Sequence, residues 1–492
     1  MITPNDIREK ARAYIERFNE SDDELYRGDI DNAHAEKWLL DNIPLLDFPD
    51  PVIEEIYYFR WWTYRKHIKT TPYGPIITEF MTDVPWAGPY NSINCASGFH
   101  IREGRWLRNS RDIIKNYIKF WTDGIGDAHS YSCWLPWAIK EYCEVTDEYD
   151  FGISLLPWME KDFLWWKENR LDDCGLFWSD DDRDAMEFSI SGPGYRPTLN
   201  SYMYGNAMAI AFFCKSAGEN EKERKYLKEA ETIKVNIQNY LWQRDFFYAV
   251  PSERKNDPSF SFNNINVDAD HHVKEEIGFI PWYFGLPDNS YDGGFRFLLD
   301  KNYFWGEKGI TTAERNHPRY RYHADHECLW NGPSWPFATT QTLIAVSNVL
   351  HNRKQAFIRE EDYILLFRQY AGQHYREDKS GKKIPWIDEN LDPDTGDWIS
   401  RTILKKSGWP SVKGGRERGK DYNHSMFCDL IITGLLGIRC KNGQLITIPK
   451  LLPSWDYFMV DNFPFGDRLY RISFDRTGKQ YGDGAGISLK EL

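Results

Sequence analysis

Apolar residues recur at three- and four-residue spacing along most of the chain, the period of an amphipathic helix. The pattern begins over Pro4–Asn19 and returns over Val52–Lys69, where Ile53, Ile56, Tyr57 and the stem of Arg60 fall on one face. The same spacing predicts helices over Arg102–Asp123, Ser130–Cys143, Ile153–Lys167, Pro197–Ala217, Asn220–Leu241, Lys274–Tyr283, Trp335–Leu350, Glu360–Tyr375 and Tyr422–Leu436. The count is roughly eleven or twelve helices. Between them run long stretches rich in Gly, Pro, Asn, Asp and aromatics: Thr82–Ser97, Asp172–Arg196, Asp257–Asp270, Gly306–Pro333 and Pro385–Trp398. Structureless connections of such length are uncommon in compact domains and tend to carry function. The expectation is a rigid helical scaffold presenting a site built from loops.

From about Ile438 the period changes. Leu445–Ile448, Leu469–Phe474 and Ile487–Leu489 read as short strands separated by Gly and Asp turns. This divides the chain into a helical catalytic body, residues 1–437, and a short β appendage, residues 438–492. No linker-like composition separates the two, so the appendage is expected to pack on the body.

With 492 residues, 41% of them hydrophobic and 27% charged, the chain has enough apolar material for a sizeable core. Its 21 Trp, 29 Tyr and 29 Phe change the picture, because many stand beside Gly, Pro, Asn and Asp. Flat aromatic faces in loops stack on sugar rings, although most of the indoles are expected in the core. The net charge of −13 argues against nucleic acid or an anionic membrane, whose phosphates need clustered cations. A carbohydrate substrate fits, and the oligomeric state is open. Met1–Glu20 is polar and no run of about 18 apolar residues occurs, so neither a signal peptide nor a membrane span is expected in the sequence as it stands. A soluble protein of the cytoplasm or periplasm follows. Cysteines at 95, 133, 143, 174, 214, 328, 428 and 440 form no CxxC or CxxH pair, and most read as buried thiols.

Two acidic loops stand among aromatics. The first, Phe177–Gly192, carries Asp180, Asp181, Asp182, Asp184 and Glu187 and leads through Tyr195-Arg196-Pro197 into a helix with Asn200, Tyr202, Tyr204 and Asn206. The second, Pro385–Trp398, carries Asp388 and Glu389. Glycosidic cleavage needs one carboxyl kept protonated to serve the leaving oxygen and one carboxylate to activate water or attack the sugar. Glu187 lies between Met186 and Phe188, where desolvation raises a carboxyl pKa, and Glu389 lies between Asp388 and Asn390, a polar setting that favours the charged form. Asp184 is the alternative acid; acidic loops also cap helices, bind calcium or stay solvated.

A third segment, His323–Pro336, gathers His326, Trp330, Asn331 and Trp335 in one loop and reads as a substrate floor. Its His323, Asp325 and His326 lack a second ligand cluster at a recognised spacing, so no metal is expected. Gly98–Trp106, with Arg105, and Asp127–Trp134 each open a helix and serve either sugar hydroxyls or helix ends. No GxSxG, Walker loop, Rossmann fingerprint or HExxH occurs.

Trp330-Asn331-Gly332-Pro333-Ser334-Trp335 resembles the Trp-x-Gly-Pro-x-Trp signature of glycoside hydrolase family 63 and its mannosylglycerate hydrolase-like relatives, the six-hairpin glycosidases. In that group the general acid lies in a loop followed by a helix with Asp-Leu-Asn. Ala185-Met186-Glu187-Phe188-Ser189 before Thr198-Leu199-Asn200 is similar in order, with Glu at the acid's place instead of Asp. Glu389-Asn390-Leu391-Asp392-Pro393-Asp394-Thr395-Gly396 is similar to the group's Glu-x-Tyr-x-Pro-x-Thr-Gly loop, which holds the general base. The resemblance runs from about residue 80 onward and implies an (α/α)6 barrel, an inverting mechanism and no obligatory cofactor.

The expectation is therefore an exo-acting, inverting glycoside hydrolase with Glu187 as acid and Glu389 as base. Trp330, Asn331, Trp335, Trp386, Tyr202, Arg105 and His326 are expected to line its sugar pocket. A non-catalytic carbohydrate-binding protein, and a sugar epimerase or polysaccharide lyase on the same barrel, remain as alternatives.

Overall fold

The computed structural model describes residues 1–252, 269–450 and 454–492, so most of the Asp257–Asp270 loop lies outside the described residues. The dominant feature is a ring of helices buried on nearly every side: Pro51–Lys66, Ser97–Gly104, Leu135–Thr146, Pro197–Ser216 and Pro336–Asn352. A helix without a solvent face belongs at the centre of a layered structure. Around these pack helices with polar outer faces: Pro4–Ser21 on the first, Ser110–Thr122 on the second, Asn220–Asn236 on the fourth and Glu360–Gln373 on the fifth. Asn220–Asn236 buries Tyr226, Ala230 and Ile233 and leaves its charged residues to solvent. Inner and outer helices thus form an (α/α) barrel, as expected, whose core is lined by large rings such as Trp61, Trp106, Trp134 and Trp282.

The chain departs from the expected elements where glycine, proline or a buried polar group interrupts the helical period. Arg102–Asp123 is two helices: at Gly104 the backbone passes so close to Tyr64 and Ile114 that an added Cβ would meet the Tyr64 hydroxyl at 2.2 Å. The helix from Pro51 stops at Lys66, and Ile68–Thr71 pairs antiparallel with Gly74–Ile77. Lys274–Tyr283 yields a 3-10 turn and one short helix at Ile280–Tyr283. Residues 422–427 form neither helix nor strand, and helix begins at Cys428. Three helices escaped the periodicity reading: Asn32–Asn42, whose apolar contrast is low, and the short Tyr149–Ser154 and Ile399–Lys406.

The C-terminal strands are present, together with two not foreseen, Ile438–Lys441, which pairs with Gln444–Thr447, and the longer Tyr457–Phe465. The latter pairs with Arg468–Asp475 on one edge and on the other with Leu45–Asp47, a strand between the second and third helices. Phe48 packs on Trp455 at 4.9 Å and Trp106 on Phe463 at 5.1 Å, while the Tyr481 hydroxyl donates to Asp47. The appendage is thereby joined to the helical body through a shared sheet and a shared core.

Candidate active site

Glu187 and Glu389 line one cavity of about 390 Å³, with Glu79, Trp86, Cys95, Tyr131, Asp182, Arg183, His326, Glu327, Cys328, Trp335, Arg418, Tyr422 and His424 also in its wall. Several wall residues come from the segments that lead into inner helices: Cys95 before Ser97, Tyr131 before Leu135, Glu187 before Pro197 and Trp335 before Pro336. The long loops therefore converge at one end of the barrel.

Glu187 sits on a strained turn. Ala185 at φ 62 and Phe188 at φ 61 flank it in the left-handed region, unusual for any residue but Gly and costly for Phe. The Glu187 carbonyl accepts the Trp330 amide at 3.0 Å, and Phe188 packs on His323 and His326 at 4.5 and 4.8 Å. Its carboxyl group accepts a hydrogen bond from the Cys328 thiol, Sγ to Oε2 2.7 Å. Burial pushes the Glu187 pKa up to about 7; the thiol opposes the shift, and the charges of Asp182 and Glu389 add to it.

Glu389 has the opposite surroundings. Both of its oxygens are held by Arg418, Nε to Oε1 at 2.7 Å and Nη2 to Oε2 at 3.0 Å, the fork-to-fork arrangement that a carboxylate takes with a guanidinium. Arg418 also reaches Glu327 at 3.3 Å, and Lys413 pairs with the same carboxylate at 2.9 Å. Burial pushes Glu327 up, but Arg418 and Lys413 outweigh it and hold its pKa below the ordinary value. Trp86 stacks on the Arg418 guanidinium at 4.8 Å. Next to it, Gly419 lets the backbone approach Asp388, whose Oδ1 a Cβ would meet at 2.0 Å. Asp388 itself caps the Glu389 amide at 2.9 Å, and burial, followed by the neighbouring Glu389 charge, pushes its pKa up to about 7.

The Trp-Asn-Gly-Pro-Ser-Trp run ties these two loops together. Trp330 donates to the Glu187 carbonyl, Ser334 and Leu391 exchange backbone hydrogen bonds at 2.9 and 3.0 Å, and Asn390 Nδ2 donates to the Glu327 carbonyl at 2.7 Å. Gly332, at φ 151, faces Tyr320 so closely that a Cβ would lie 2.7 Å from the ring. Trp330 and Trp335 stack at 4.5 Å with an interplanar angle of 16°, and Trp335 Nε1 donates to the Leu329 carbonyl.

Of the residues expected to contact sugar, Trp335 and His326 line the cavity. Trp330 and Asn331 are buried behind it, Asn331 donating to the His323 carbonyl at 3.0 Å. The other three are placed elsewhere. Tyr202 is a core ring against Trp134 whose hydroxyl accepts from Gln341, Arg105 is paired with Asp429 at 2.8 Å, and Trp386 lies under Arg376 at 3.9 Å. Sequence spacing marked them as aromatic or cationic, but barrel packing and ion pairing absorb them. Asp184 is not among the cavity-lining residues: it accepts from Ser132 at 2.6 Å and pairs with the fully buried Arg196 at 2.7 Å.

Glu79, Arg418 and His424 were not singled out in the sequence reading, Cys95 entered it only as a thiol of the Thr82–Ser97 loop, and Tyr422 only as the start of an expected helix. Each is an isolated polar residue in an otherwise ordinary stretch, and only the closure of the barrel brings residues near 80, 95 and 420 to the same wall. The lone hint was the glycine-rich Gly414–Gly419 segment, a composition that marks a turning backbone, and the structure has turns there.

Residues 89–425 match the model of the mannosylglycerate hydrolase MGH1-like glycoside hydrolase domain. The chain belongs to this family. It is a glycoside hydrolase domain, and both cavity carboxylates fall within the matched segment. A protein described as a sialidase is 35% identical over 98% of this chain, with a TM-score of 0.87. The chain spans 43% of that protein's length. Two more distant structures share the fold: an uncharacterised conserved protein from Thermus thermophilus and an alpha-L-rhamnosidase from Streptomyces avermitilis complexed with L-rhamnose. The first is 11% identical with a TM-score of 0.51, covering 76% of this chain and 98% of that one. The second is 10% identical with a TM-score of 0.52, covering 88% and 36%.

Proposed function

We propose that this domain is an exo-acting, inverting glycoside hydrolase in which Glu187 is the general acid and Glu389 the general base. The observation that carries the reading is a pair of carboxyl groups in one cavity with contrasting surroundings. Glu187 is desolvated and holds its proton up to about pH 7, while Glu389 is gripped at both oxygens by Arg418. In this reading Glu187 gives its proton to the glycosidic oxygen as the bond breaks. Glu389 takes a proton from a water that attacks the anomeric carbon from the other face, and the released sugar has inverted configuration. The resemblance of the Glu389–Gly396 loop to the base loop of the mannosylglycerate hydrolase-like enzymes supports inversion over retention. A single cavity of about 390 Å³ is of a size to hold a terminal sugar, which supports exo action. Trp335, His326 and Arg183 are in position to face that sugar.

The test is a screen of aryl glycosides and natural oligosaccharides, with the anomer formed first followed by NMR. Release of an inverted sugar, with Glu187→Gln and Glu389→Gln each slowed roughly 10²–10⁴-fold, is the expected result. Binding without turnover on every glycoside would make the domain a carbohydrate-binding protein. Activity surviving both substitutions would remove the two assigned roles.

A further inference from the structure

On the cavity wall, three side chains of different chemistry meet. Glu79 follows the strand Gly74–Ile77, Cys95 lies in the short turn Asn94–Ala96, and His424 lies in the irregular segment before Cys428. One ligand atom from each falls within 4.8 Å of the others, and among the described residues this is the one such cluster of metal-ligating side chains. All three are buried and all three line the cavity that holds Glu187 and Glu389.

Two of the three edges have the length of a coordination shell's, and the third is no longer than 4.8 Å. Cys95 Sγ lies 3.7 Å from Glu79 Oε2 and 3.7 Å from His424 Nε2. Bonds of about 2.3 Å to sulfur and about 2.0–2.1 Å to nitrogen or oxygen, opened to a tetrahedral angle, place the ligand atoms roughly 3.5 Å apart. The spacing allows a thiol hydrogen bond in the metal-free chain and is close to this edge length.

The surrounding contacts leave the inward atoms free. His424 Nδ1 is taken by the Tyr422 hydroxyl and lies 3.1 Å from Glu79 Oε1. That hydroxyl donates to Glu79 Oε1 at 3.0 Å. With Nδ1 carrying the proton toward these oxygens, Nε2 presents its lone pair to Cys95, and Glu79 Oε2 is turned the same way. An imidazole oriented through its outer nitrogen and a carboxylate held through its outer oxygen are the supports that metal ligands take.

We propose that Glu79, Cys95 and His424 bind one zinc ion through Oε2, Sγ and Nε2, with the fourth coordination position open to the active-site cavity. Mixed sulfur, nitrogen and oxygen donors suit Zn²⁺ and disfavour Mg²⁺ and Ca²⁺, which take oxygen ligands. Three protein ligands with an open fourth place hold a water or a hydroxyl of the ligand. On binding, the Cys95 thiol loses its proton to solvent as the Zn–S bond forms, so the affinity falls as the pH is lowered.

The experiment uses the full chain, stripped with a chelator and titrated with Zn²⁺ against a competing chromophoric chelator, and in parallel with Co²⁺. The expected result is one ion per chain, a rise in thermal midpoint with Zn²⁺, and a thiolate-to-cobalt charge-transfer band. Cys95→Ala and His424→Ala abolish stoichiometric binding, whereas Cys328→Ala, which removes the other thiol of the cavity, keeps it. The wild-type cobalt spectrum reports thiolate ligation even where a variant fails to fold. Absence of tight binding in the wild type, a cobalt complex without the thiolate band, or unchanged binding in Cys95→Ala overturns the proposal. None of these readouts depends on turnover, so the zinc site and the carboxylate roles stand or fall separately.

Discussion

At the scale of single residues, Glu187 concentrates the physical chemistry of the site. A carboxyl group raised from 4.5 to about 7 by burial is a proton donor at neutral pH, and it is also a liability to the fold. The proposed role as acid predicts that kcat/KM on any turned-over glycoside falls tenfold per pH unit once the pH exceeds about 7, because the donor is lost. The matching stability effect has a definite sign. The folded state binds this proton more tightly than the unfolded chain, so its contribution is fully present below about pH 4.5 and is lost as the pH rises through 7. Glu187→Gln, which cannot ionise, should therefore be more stable than the wild type at pH 8 by up to about 3 kcal/mol. At pH 4 the difference should be small. Urea unfolding at the two pH values measures it, and equal stability differences at both would show that Glu187 ionises at an ordinary pH.

At the scale of elements, the site depends on how closely inner helices and loops approach. Gly98, in the helix Ser97–Gly104, faces Trp134, and an added Cβ would meet the indole at 2.3 Å. The tryptophan precedes the next inner helix, Leu135–Thr146, and packs on Phe99 at 4.8 Å and Tyr202 at 4.7 Å. Gly98→Ala should destabilise the domain by about 1–3 kcal/mol, since an indole fixed on several sides cannot move aside. Calorimetry checks this, and a neutral effect would mean that the helix slides freely past its neighbour. Loop anchors work similarly: Asn200 accepts the Phe177 amide at 2.8 Å and donates to the Phe177 and Arg196 carbonyls, holding both ends of the acidic loop against the helix that follows. The periodicity that revealed these helices could not show where they break. Gly104, Pro281 and the irregular run 422–427 end or divide elements through contacts made with distant chain.

At the scale of the whole molecule, the sheet formed by Leu45–Asp47 with Tyr457–Phe465 and its neighbours closes the chain on itself. Lys10 reaches Asp47 and Glu54, and Tyr481 reaches Asp47 as well, so the first helix, the third helix and the connection between the last two strands share one polar cluster. We propose that residues 438–492 are a β appendage to a catalytic body of residues 1–437 that does not fold without it. A chain ending at Gly437 would expose the Leu45–Asp47 strand and uncover Phe48 and Trp106, an invitation to aggregation. It should be insoluble or lack a cooperative unfolding transition, and the full chain should unfold in one step; two resolved calorimetric transitions would make the parts independent.

Glu187, Glu389 and the Trp330–Trp335 run were legible in the chain because local neighbours announce them: apolar flanks around one acid, polar flanks around another, and a motif whose residues act within a few positions of each other. The helical barrel was legible for a similar reason, since an amphipathic period is a local signal of which face meets the core. Only the tertiary structure decided the partners. Arg418 lies 29 positions from Glu389, and Glu79 lies 345 positions from His424. A charge pair or a ligand set of that kind leaves no periodic trace, because it is created when the barrel closes. The same closure sent Tyr202, Arg105 and Trp386 to core and ion-pair positions away from the cavity, since a side chain's role follows from the neighbours that packing supplies.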